Sequence, residues 1–225
     1  MGRLVDGKWL TTDLGADERG RFVRRAAKFR GRVSSGSPFE PATGRYHLYV
    51  SAACGWSHRV LMTRQLLGLE SCLPVTFADA FMGEQGWVFP ASETTPTEPH
   101  EPSGLVPPGF VPPGFVPHQG PLFELYVRHQ ADYTGRVSVP VLWDKQRSCI
   151  VTNESADLVQ DLNSAFAQFS SDPVAASKLD LYPTGEQQRI EAMILANYGP
   201  INNGVYRAGF AGNQSAHEEA VRAVP

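Results

Sequence analysis

The first clear alternation of apolar and polar positions is Tyr46-His47-Leu48-Tyr49-Val50, which predicts a short β-strand. Ser51-Ala52-Ala53-Cys54-Gly55 breaks it. His58 to Leu67 then reads as a helix that stops at Gly68, and Leu73-Pro74-Val75-Thr76-Phe77 reads as a second strand. Order returns at Val137-Ser138-Val139-Pro140-Val141-Leu142-Trp143-Asp144, a strand with an internal proline, followed across a polar turn by Cys149-Ile150-Val151-Thr152. Asn153 is placed to cap a helix whose Leu158, Leu162 and Phe166 form one apolar stripe. Two later stretches are helical: Gly185 to about Tyr198, with Ile190, Met193, Ile194 and Tyr198 on one side, and Ser215 to Val224. Residues 46–166 thus read as βαβ, a loop, then ββα.

What lies outside this pattern is informative too. Residues 1–44 are polar and rich in glycine and arginine, and read as a leader with some helix at best. Ten of the 18 prolines fall between Pro90 and Pro121, around a tandem Val106-Pro107-Pro108-Gly109-Phe110 and Val111-Pro112-Pro113-Gly114-Phe115. Two copies are too short for a solenoid, so the reading is an exposed polyproline-type loop. The helices after residue 173 lack neighbours to bury their stripes, so the chain is expected to be cut short or to depend on a partner.

Composition narrows the function classes. Apolar residues make up 42% of the 225 and charged residues 19%, enough for a packed core. A formal charge of −3 argues against nucleic acid or an anionic membrane as the main partner. No apolar run approaches membrane-helix length and the start has no signal-peptide core. Three cysteines without CxxC spacing argue against a disulfide framework or zinc, and the six histidines show no metal-ligand spacing. A reduced, cytoplasmic protein is the expectation.

The candidate chemistry starts at Cys54, between a strand and the following helix. Unpaired N–H groups and the dipole at a helix start favour an anion and lower a thiol's pKa. His58, one turn on, and Arg59 add positive potential. The alternative is a small buried cysteine, which is the reading for Cys72 and Cys149. No cysteine stands at position 57, so an external thiol must resolve any mixed disulfide, which points to glutathione-type chemistry. Val139-Pro140 suits a cis bond that frees the valine N–H and C=O for an incoming peptide; an edge-strand proline is the alternative. Asn153-Glu154-Ser155 opens a helix and suits a carboxylate, with Glu154 available to an ammonium group, or it is a plain cap. Trp87 closes over a ligand or anchors its loop. Tyr198 and Tyr206 offer phenol hydroxyls to an aromatic substrate or are half-buried tyrosines.

Together these residues resemble a known family, the glutathionyl-hydroquinone reductases or Xi-class glutathione transferases. The carriers are Leu48-Tyr49-Val50-Ser51 before Cys54-Gly55-Trp56-Ser57-His58-Arg59, then Gly86-Trp87, Arg136 to Lys145, Asn153-Glu154-Ser155, Asp180-Leu181-Tyr182-Pro183 and Asn202 to Ala211. The resemblance implies an α/β fold: a thioredoxin-like N-terminal domain over 45–168, with the proline-rich insert at 90–121, followed by the start of an all-α glutathione-transferase C-terminal domain over 173–225. It implies a homodimer with no tightly bound cofactor and glutathione as co-substrate. Cys54 would take glutathione from a glutathionyl-hydroquinone as a mixed disulfide, and a second glutathione would release it. Trp87, Arg136, Val139, Glu154 and Ser155 would hold glutathione; Tyr198 and Tyr206 would face the quinol. Rival expectations are a general glutathione transferase or deglutathionylase, and a non-catalytic glutathione-binding remnant. Three departures stand out: Gly55 where the family usually has proline, the proline-rich insert after Trp87, and an ending where the family's helical domain has barely begun.

Overall fold

The computed structural model describes residues 2–11, 15–90 and 116–224. The VPPGF repeat lies outside them. The strands are β1 (Arg3–Val5), β2 (Lys8–Leu10), β3 (Tyr46–Val50), β4 (Val75–Phe77), β5 (Val88–Phe89), β6 (Gly120–Pro121), β7 (Gly135–Arg136), β8 (Val141–Asp144) and β9 (Cys149–Thr152). The α-helices are α1 (Gly55–Leu66), α2 (Phe123–His129), α3 (Ser155–Asp161), α4 (Pro173–Lys178), α5 (Gln187–Asn197), α6 (Gly204–Gly209) and α7 (Gln214–Arg222). Wider π-turns extend α3 over Leu162–Phe166 and α5 over Tyr198–Asn202.

The central sheet has the order β4-β3-β8-β9, with β4 parallel to β3 and the other pairs antiparallel. Alternation in β3 sends Tyr46, Leu48 and Val50 to one face and Tyr49 to the other, and all of β3 is buried. On the first face they pack with Val60 of α1, with Leu67 just after it, and with Leu158, Leu162 and Phe166. The predicted stripe is thus fully buried, even though the helix widens through it. On the second face Tyr49, Val141 and Trp143 meet Leu122, Leu125 and Tyr126. Where β3 begins and β8 ends, Arg45 and Asp144 form a buried ion pair at 2.6 Å.

Three expectations are corrected. The first 44 residues form no helix among the described residues. Instead β1 and β2 make a hairpin around Asp6-Gly7, with β1 also pairing β7. Both turn residues have positive φ (48° and 73°), and a Cβ on Gly7 would lie 2.0 Å from the Ala131 carbonyl oxygen. Around Arg30 and Arg32 the segment runs along β9 and α3, where Arg30 pairs with Asp157 and Arg32 with Asp161. Second, the region read as loop ends in β6 and α2. Leu122, Leu125 and Tyr126 bury one side of α2, an apolar spacing hidden by the prolines before it. Third, the Val137–Asp144 run is not one strand: β8 begins after Pro140, so the proline removes no donor from inside a ladder.

The later helices differ in kind. Among the described residues none of α5 is buried, and Met193, Ile194, Leu195 and Ile201 are exposed. No helix of the described residues is long and apolar enough to cross a membrane.

Candidate active site

β3 delivers the chain to Cys54. Past Val50 the backbone turns, with the Ala53 N–H donating to Ser51 Oγ (3.2 Å) and the Cys54 N–H to the Ser51 carbonyl (3.1 Å). Cys54 is the N-cap of α1, in an extended conformation, and its side chain makes no cap hydrogen bond. Its thiol lies 3.6 Å from the Val139 carbonyl oxygen, to which it donates. The Val139-Pro140 bond is cis, as the sequence suggested. A Cβ at Gly55 would meet nothing within 4 Å, so no close approach demands glycine there.

The start of α3 closes the opposite side. Its N-cap is Glu154, not Asn153 as the sequence suggested: Glu154 Oε1 accepts from the Ala156 N–H at 3.0 Å. Asn153 serves the scaffold instead, accepting from the Phe29 N–H (3.2 Å) and donating to the Tyr126 hydroxyl (3.0 Å). Ser155 is buried, and its Oγ accepts from Arg59 Nε (3.0 Å) and Nη2 (2.6 Å). The same guanidinium is 3.5 Å from Glu154 Oε1. Burial pushes the Arg59 pKa down, while the Glu154 carboxylate opposes the shift. Arg59 thus works at the start of α3. His58 is exposed and does not line the cavity.

A cavity of about 260 Å³ separates these helix starts. It is lined by Cys54 and by the seven residues that the resemblance assigned to glutathione and quinol: Trp87, Arg136, Val139, Glu154, Ser155, Tyr198 and Tyr206. Trp87 stands just before β5, half-buried, its carbonyl accepting from the Leu122 N–H at 2.8 Å. Arg136 is in β7 with its guanidinium 4.7 Å from the Phe22 ring. Tyr206 stacks on Trp56 (5.9 Å, 19°), and Tyr198 is tilted against the same indole at 6.1 Å. Burial, then the neighbouring Cys54, pushes the Tyr206 phenol up, and Arg24 opposes them.

Several lining residues escaped the sequence reading. Trp56 was visible inside the Cys54 motif, but nothing marked it as the platform for both tyrosines. Trp9, Phe22 and Arg24 come from the segment dismissed as a leader. The Asp6-Gly7 turn between Leu4-Val5 and Lys8-Trp9-Leu10 was the available signal for part of it. The other cysteines are poor rivals for Cys54. Cys72 is buried in the turn after α1, with its thiol pushed up to about 11 by burial. Cys149 is in β9 and only half-buried, a departure from the expected core position, and burial raises it too.

Residues 53–165, half of the chain, match the family model of the glutathione S-transferase N-terminal domain. The chain belongs to the glutathione S-transferase family. Within that family it is 40% identical to glutathionyl-hydroquinone reductase PcpF of Sphingobium chlorophenolicum, across 98% of this chain and 63% of that protein. It is 39% identical to glutathionyl-hydroquinone reductase YqjG of Escherichia coli K12, across 100% of this chain and 65% of that one. Among solved structures, the Xi-class transferase of Natrialba magadii superposes with a TM-score of 0.76 at 40% identity, over 100% of this chain and 63% of that one. The glutathione-bound structure of YqjG gives 0.73 at 35% identity, over 99% and 63%. The expected resemblance therefore holds across nearly the whole chain. The chain spans slightly under two thirds of the length of these relatives.

Proposed function

We propose that this chain carries the reaction centre of a glutathione-dependent reductase of glutathionyl-hydroquinones, with Cys54 as nucleophile. The observation that carries the reading is Cys54 at an uncapped helix start, on a cavity whose other side is built from Glu154 and Ser155. The N–H groups of the first turn of α1 stabilise a thiolate. Glutathione lies as an extended peptide along the Val139 backbone, its ammonium group on Glu154 and its γ-glutamyl carboxylate at the start of α3 beside Ser155 and Arg59. Trp87 covers it, and Arg136 supplies a cation on the remaining side. Tyr198 and Tyr206, resting on Trp56, take the aromatic ring.

The chemistry balances in two displacements. The Cys54 thiolate attacks the glutathionyl sulfur. A Cys54–glutathione disulfide forms, the sulfur–aryl bond breaks, and the ring carbon leaves with the bond's electron pair and takes a proton. Tyr206, held protonated, is the donor this reading assigns. A second glutathione gives up its thiol proton, which restores Tyr206, and its thiolate attacks the glutathione sulfur of that disulfide. Glutathione disulfide leaves and Cys54 returns as thiolate. The ring is reduced by two electrons, and one thioether sulfur and one thiol sulfur end as one disulfide. A Cys rather than Ser or Tyr at this point favours disulfide exchange over conjugation.

Assembly as a homodimer and residence in the cytoplasm belong to the same proposal; analytical ultracentrifugation and cell fractionation test them. The decisive variant is Cys54→Ser. Turnover of S-glutathionyl-hydroquinone should fall by about 10³-fold or more, with retention on immobilised glutathione preserved. Undiminished turnover would overturn the assignment.

A further inference from the structure

Arg24 reaches the cavity from the N-terminal segment, not from the thioredoxin-like framework. Its guanidinium carbon lies 4.2 Å from the centre of the Tyr206 ring, 5.1 Å from Trp56 and 5.5 Å from Phe22. Its Nε donates to Asn203 Oδ1 at 2.7 Å, which fixes the plane of the group against the helical segment. The two Nη atoms make no hydrogen bond among the described residues. A half-buried cation is thus clamped to the aromatic stack where an arene would dock, with part of its donor fork unused.

The charge balance of the cavity points the same way. Among the described residues, Arg24, Arg25 and Lys28 bring positive charge to its lining, and Glu154 brings the carboxylate. Glutathione brings two carboxylates and one ammonium group. The positive charge lining the site exceeds what the tripeptide alone would match, and Arg24 lies over both Tyr206 and Trp56.

We infer that Arg24 is a specificity-determining residue that selects glutathione conjugates whose aromatic ring bears an anionic substituent, such as a carboxylate. The inference rests on the proposed glutathione site and adds the charge of the second half of the substrate. A planar guanidinium forks onto a carboxylate through two charge-assisted hydrogen bonds, whereas an uncharged ring gains only stacking.

Calorimetry on the full chain carrying Cys54→Ser, which prevents chemistry, provides the test. The probes are S-phenylglutathione and S-(4-carboxyphenyl)glutathione. The carboxylated ring should bind about tenfold tighter. Arg24→Gln should erase that preference while changing affinity for the uncarboxylated probe less than about twofold; Arg24→Lys, which keeps the charge, should restore part of it. Equal binding of both probes by the parent, or a preference that survives Arg24→Gln, would overturn the inference and leave the glutathione site standing. Equal weakening of both probes by Arg24→Gln would also overturn it, making Arg24 a brace for the helical segment. Binding of neither probe by the parent would overturn the glutathione site and this inference together.

Discussion

Two helices begin on the same cavity and treat their first N–H groups differently. At α3 the cap is Glu154, whose carboxylate accepts from Ala156 within its own helix. At α1 the cap is Cys54, whose side chain accepts nothing from the helix it precedes. A Ser, Thr, Asp or Asn there would cap α1 from its own side chain. Cysteine leaves that helix start available to a charge on its own sulfur or on a bound one. The contrast teaches that a helix start becomes a reaction site when its cap residue leaves the first turn unsatisfied.

Glu154→Ala attacks the contrast from the α3 side. It removes a cap and, in the proposed mode, the partner of the glutathione ammonium group. KM for glutathione should rise by about 10-fold or more, with kcat changed far less, since the lost contact is a charge-assisted hydrogen bond. Thermal unfolding should show a parallel loss of about 1 kcal/mol. A fall in kcat with KM unmoved would place Glu154 in the chemistry instead.

Polar groups belonging wholly to the fold provide a control. His47 is buried in β3, its Nε2 2.7 Å from Thr76 Oγ1, and burial, aided by Lys145 and Arg64, pushes its pKa from 6.5 down to about 3. The unfolded chain takes up that proton below pH 6.5 while the folded chain resists it until about pH 3. The stability from a neutral His47 is therefore present above pH 6.5 and lost as pH falls towards 3. The limiting slope is about 1.4 kcal/mol per pH unit. His47→Gln should flatten the profile in urea titrations between these limits. His118 and His129, also lowered by burial, should leave a residual slope. An unchanged slope in the variant would show that His47 already takes up its proton while folded.

The smallest effect sharpens the comparison at α1 itself. Gly55 stands at the first helical position, a Cβ there would meet open space, and Cys54 before it is already extended. Proline fits such a position and restricts the unfolded chain. Gly55→Pro should raise stability by roughly 0.4–1 kcal/mol in thermal unfolding. A loss of stability would mean that the turn into α1 needs glycine after all.

The sequence made the framework legible where one physical signal dominated. β3 followed from alternation, α1 from a helical run stopped at Gly68, and β9 from the polar turn that separates it from β8. Cys54 followed from its position between two such elements. α2 was lost because ten prolines outweighed the spacing of Leu122, Leu125 and Tyr126. The N-terminal contribution was lost for another reason. Its apolar residues are sparse, and Leu4 and Phe22 bury themselves against partners more than 100 residues away in the chain, Gly135 and Tyr206 among them. Local periodicity carries no trace of such pairings. Arg24 and Trp56 share that blindness, since their meaning lies in the ring stack they join.

Reaction of the native chain with glutathione disulfide, followed by intact-mass and peptide-mass analysis, reads the central claim directly. A single glutathione should be carried by Cys54 and removed by excess free glutathione, with no such mass gain in Cys54→Ser. Glutathione found instead on Cys72 or Cys149, or none on the native protein, would contradict it.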